Sequence, residues 1–88
     1  MTGNKLEEYR GKIDKIDEEI AKLLAERLIL VKQIGKFKKE NNIPVVDENR
    51  FNKVLEKVEN IASKERISKD FIDEIYYTIH KYACELEK

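Results

Sequence analysis

One cysteine, one proline, three glycines and no tryptophan occur in 88 residues, and each scarcity excludes something. A lone Cys84 cannot close an internal disulfide, so a disulfide-stapled secreted domain is ruled out. So few glycines and prolines leave no punctuation for the many short strands of a sandwich or barrel. Neither charge sign dominates, with 18 Lys and Arg against 18 Asp and Glu, so no global field recruits nucleic acid or an anionic membrane. No apolar run approaches the roughly 18 residues that cross a bilayer, and Met1 to Arg10 lack the apolar core of a signal peptide. A cytoplasmic chain without nucleic-acid or membrane partners is expected. His80 and Cys84 stand four apart, but two donors fall short of the four that structural zinc takes. Packing is expected of them, with no metal and no cofactor.

What the chain does have is charged and hydrophobic residues in equal shares, 41% each, a balance typical of long helices. From Leu6 the apolar residues fall at Tyr9, Ile13, Ile16, Ile20, Leu23, Leu30, Ile34 and Phe37, a 3-4 rhythm over about five heptads. It predicts one helix from about Asn4 to Asn41, ended by Asn41-Asn42-Ile43-Pro44, since proline disfavours helix before it and asparagine tolerates the left-handed turn. Asp47 is placed to cap a second helix, to about residue 65, with a stripe of Phe51, Val54, Leu55, Val58, Ile61 and Ala62. Ser68 is placed to cap a third, to residue 87, with a stripe of Phe71, Ile72, Ile75, Tyr76, Ile79, Ala83 and Leu86. The expected fold is all-α, one domain over 1–88. A chain this short buries only about 60–65% of its unfolded surface, and two short helices cannot cover a seam of about 55 Å. A second copy along the seam, in a symmetric homodimer, is expected.

Arg27 breaks the seam between Leu23 and Leu30, where the heptad calls for an apolar residue. A buried unpaired cation costs several kcal/mol. Two readings stay open: an internal salt bridge, or a grip on a ligand anion. Arg10 and Lys38 occupy the same heptad column roughly 42 Å apart within one chain, so they cannot hold one small ligand together. Antiparallel pairing about a two-fold axis near Ala21 or Lys22 brings Arg10 of one copy level with the Arg27 to Lys38 segment of the other, giving two cationic pockets per dimer. Taken singly, Arg10 and Lys38 also fit solvated surface charge.

The order Arg10-Gly-Lys-Ile-Asp-Lys-Ile-Asp17, Leu23-Leu-Ala-Glu-Arg27, Ile34-Gly-Lys-Phe-Lys38 and Ile43-Pro-Val-Val-Asp47-Glu-Asn-Arg50 resembles the AroQ-type, all-helical chorismate mutases over nearly the whole chain. The resemblance implies that chorismate, a dicarboxylate, is gripped by Arg27 of one copy and Arg10 of the other, with Lys38, Asp47 and Arg50 completing the wall. It implies a Claisen rearrangement to prephenate, in the route to phenylalanine and tyrosine, without proton transfer or covalent intermediate. Such chemistry needs a confined substrate conformer and donors at the ether oxygen. Lys38 is the candidate for one donor. The family's second donor, a glutamine or glutamate near the end of the third helix, falls on Glu87, which donates only when protonated, so activity is expected to fall as pH rises. A frayed surface glutamate is the alternative reading of Glu87.

Two positions depart from the family's pattern. Phe51 stands where many relatives carry a glutamate that binds the substrate's ring hydroxyl, and Ala83 where some carry a serine. Both subtract a polar contact, so weaker substrate binding is expected, with Phe51 filling the core at the pocket's edge. They leave room for isochorismate-pyruvate lyase, a relative of the same fold that forms salicylate. Asp47, Glu87 and a loop of the mutase length favour the mutase. A non-catalytic helical dimerisation module, with Arg27 in an ion pair, is the reading from a different class.

Overall fold

The computed structural model describes residues 2–88. They form three helices and no strand: α1 (Thr2–Glu40), α2 (Glu48–Lys64) and α3 (Lys69–Glu87). The all-α expectation is met, and the helices fall where the apolar rhythm and caps predicted them, α1 starting at Thr2 rather than Asn4.

Local chemistry explains each boundary. Asn42 takes φ 56° and the Ile43 amide donates back to the Lys38 carbonyl at 2.8 Å, so α1 closes with a left-handed residue after its cap. Asp47 then caps α2, its side chain accepting from the Arg50 amide at 3.0 Å. α2 ends in the same manner: the Ile67 amide donates to Ala62 at 2.8 Å and the Arg66 amide to Ser63 at 3.4 Å, with Arg66 at φ 59°. Ser68 caps α3 by accepting from the Phe71 amide at 3.3 Å.

Two compact units divide the chain, one ending at Leu30 and the other comprising Val31–Lys88. The first is the greater part of α1. Its apolar rhythm is uncovered: Leu6, Tyr9, Ile13, Ile16, Ile20, Leu23 and Leu30 are all about half exposed or more. The second holds the last turns of α1 with α2 and α3. Phe51 meets Tyr77 and His80, while Glu59 meets Lys69, so α2 and α3 run antiparallel. Its buried apolar residues are Val31, Ala62 and Ala83, none of them large. Among the described residues no large side chain is fully buried, and no helix is long and apolar enough to cross a membrane.

Candidate active site

The clearest polar constellation of the second unit is built on the last turns of α1 and α3. Lys38 extends from α1 and donates to the Val45 carbonyl at 2.8 Å, which ties its ammonium to the loop before α2. The same Nζ lies 2.5 Å from Oε1 of Glu87, the last residue of α3. Both side chains are largely enclosed, 15% and 11% exposed. Oε1 is buried, and the Lys38 ammonium is the charged group that meets it. An enclosed ion pair of this kind adds little net stability, because desolvation offsets its Coulomb attraction.

The other candidates are distributed as follows. Ala83 is buried one turn before Glu87 on the same face of α3. Asp47 and Arg50 are exposed at the start of α2, where the Asp47 carboxylate is engaged as the cap. Arg10 is exposed and pairs with Glu7 at 3.0 Å, the solvated arrangement expected of it when taken singly. Arg27 is half-buried and forms no ion pair among the described residues. That removes support for the internal salt bridge within one chain.

Phe51 stacks on His80, ring centroids 4.0 Å apart and planes 16° from parallel, with Tyr77 at 5.3 Å. It therefore sits in the α2–α3 seam. His80 also has its Nε2 3.6 Å from Cys84 Sγ. Both serve packing, and among the described residues no cluster of His, Cys, Asp or Glu could hold a metal ion.

Sequence reasoning missed two participants. The Val45 carbonyl carries no side-chain signal at all. Gly35 lay inside the Gly-Lys-Phe-Lys motif, yet a glycine within a helix flags a close backbone approach, and that signal went unused.

The second unit is thus a small helical assembly with an enclosed Lys–Glu pair where the last turns of α1 and α3 meet. The family model for chorismate mutase type II matches residues 9–88, and the chain belongs to that family. It is 30% identical over 84 residues to a chorismate mutase of Methanocaldococcus jannaschii, covering 96% of this chain and 85% of that protein. It is 36% identical over 85 residues to a bifunctional chorismate mutase/prephenate dehydratase of Buchnera aphidicola, covering 97% of this chain. A T-protein of Haemophilus influenzae is 36% identical over 70 residues, 80% of this chain. The chain spans only 22% and 19% of the length of these last two proteins. No solved structure gives a significant match.

Proposed function

We propose that the chain rearranges chorismate to prephenate without a cofactor, in a site completed by a second copy of itself. The observation that carries this reading is the enclosed contact between Lys38 and Glu87, the two residues assigned as donors at the ether oxygen. Arg27 of one copy and Arg10 of the other grip the two carboxylates, a task suited to planar guanidinium groups, with Lys38, Asp47 and Arg50 completing the wall. One bond breaks as another forms, so the site supplies geometry and charge. Binding confines the enolpyruvyl arm over the ring, and Lys38 and Glu87 are the groups set against the ether oxygen, where charge develops. The uncovered apolar face of α1 supports the homodimer, because so much exposed aliphatic surface marks an interaction site.

The test is an ultraviolet assay of chorismate disappearance, repeated with isochorismate, with prephenate and salicylate separated by chromatography. Prephenate from chorismate is the expected result. Salicylate from isochorismate alone would shift the assignment to the lyase, which the apolar edge at Phe51 and Ala83 favours. Turnover of neither substrate leaves the dimerisation module.

A further inference from the structure

Gly35 lies inside α1, where glycine costs about 1 kcal/mol relative to alanine. Backbone conformation does not account for it, since no glycine among the described residues has positive φ. Contact does. Gly35 is buried, and a Cβ there would stand 2.8 Å from Cα of Glu87, 3.0 Å from its carbonyl oxygen and 3.3 Å from its carbonyl carbon. These are backbone atoms and cannot swing aside as a side chain would. Carbon atoms settle at about 3.5–4.0 Å, so a methyl group would push the last turn of α3 away by roughly 0.7 Å or more. Gly3 and Gly11, by contrast, would meet nothing within 4 Å.

The backbone that Gly35 admits belongs to the residue whose carboxylate reaches Lys38, and Lys38 lies about one turn beyond Gly35 on α1. Glu87 ends its helix, a place where chains fray unless something holds them. We infer that Gly35 is a positioning residue for the reaction: its bare backbone is the seat on which the last turn of α3 rests, and this seat fixes the Glu87 carboxyl against the Lys38 ammonium. The inference deepens the proposed function and rests on its reading of Lys38 and Glu87. A displacement near 1 Å in a reacting constellation is worth up to roughly a hundred-fold in rate, so the empty Cβ position is a requirement of chemistry as well as of packing.

The test is a kinetic cycle on the full chain with Gly35→Ala, Glu87→Ala and the double variant, followed as kcat and KM for chorismate. Gly35→Ala is expected to lower kcat by roughly ten- to a hundred-fold with a smaller change in KM. On the residual turnover of Glu87→Ala, the same substitution is expected to cost less than about threefold, because there is no carboxyl left to misplace. An equal loss in both backgrounds, or no loss in either, overturns the inference. Glu87→Ala with unchanged kcat would instead overturn the reading of Glu87 itself. Hydrogen exchange on the unmodified protein gives a measurement that does not depend on whether Gly35→Ala folds. The amides of Leu86 and Glu87 are expected to be protected despite ending a helix, and free exchange there would refute the seat.

Discussion

Lys38 and Glu87 are worth separating into what they do for stability and what they do for turnover. Removing one charge from an enclosed pair strands the other, a loss of about 3 kcal/mol or more, whereas replacing both with apolar residues of similar size is close to neutral. Lys38→Met alone is therefore expected to lower the melting temperature, and the Lys38→Met, Glu87→Leu double variant to recover it, while kcat in both falls by about 10²–10³. Calorimetry beside the chorismate assay checks this, and recovery of turnover in the double variant would exclude both residues from the chemistry. Glu87→Gln carries an amide that can still donate a hydrogen bond, so it is expected to keep the turnover that Glu87→Ala loses, as the chorismate assay would read. At Phe51 the expected trade runs the other way. Phe51→Glu restores a carboxylate for the substrate's ring hydroxyl and lowers KM, but forfeits the stack on His80, worth about 1 kcal/mol; titration with chorismate and a thermal melt measure the two sides.

At the scale of elements, the antiparallel pair α2–α3 is joined by a charged clasp. Lys69 Nζ lies 3.2 Å from Glu59 across the seam and 3.0 Å from Asp73 on its own helix. Hydrogen bonding to the Glu59 carboxyl, then the Lys69 ammonium, holds Asp73 below its ordinary 3.8. The same two carboxylates, Asp73 first, raise Lys69 above its ordinary 10.5. A depressed carboxyl stabilises the fold above its unfolded value and loses that contribution as pH falls through its folded one; a raised ammonium contributes below its unfolded value and fails only in strong alkali. The difference in denaturation midpoint between the unmodified protein and Asp73→Asn is thus expected to be constant from about pH 5 to 10 and to shrink below about pH 4. A difference that does not change at all as pH falls below about 4 would remove the clasp from the account. Arg66 holds the left-handed position after α2, where a side chain costs more than glycine does. Arg66→Gly is expected to raise stability by about 0.5–1 kcal/mol in a urea titration.

For the whole molecule the proposed dimer makes a definite prediction about the arginines. If each site takes Arg27 from one chain and Arg10 from the other, inactive Arg10→Ala and Arg27→Ala chains, refolded together in equal amounts, form mixed dimers with one intact site. The mixture is then expected to show roughly a quarter of the unmodified activity. No recovery would place both arginines in one chain's site, or remove them from it. Arg27→Ala alone is expected to keep or gain stability while losing turnover, since a half-buried arginine without an ion pair adds little to the fold.

Much of this was legible in the residues. The apolar rhythm, Asn42, Asp47 and Ser68 act over one or two turns, so the helices and their ends followed from local chemistry alone. The motif order from Arg10 to Arg50 carried the family, and the break at Arg27 marked a cation that the helix itself had no use for. What local chemistry could not contain was anything that depends on two segments meeting. That Lys38 reaches a carbonyl of its own loop, that Glu87 is enclosed against it rather than frayed, and that Gly35 exists for the backbone of a residue fifty-two positions later were all decided by the packing of α3 on the end of α1. No periodicity within one helix records where another helix will touch it.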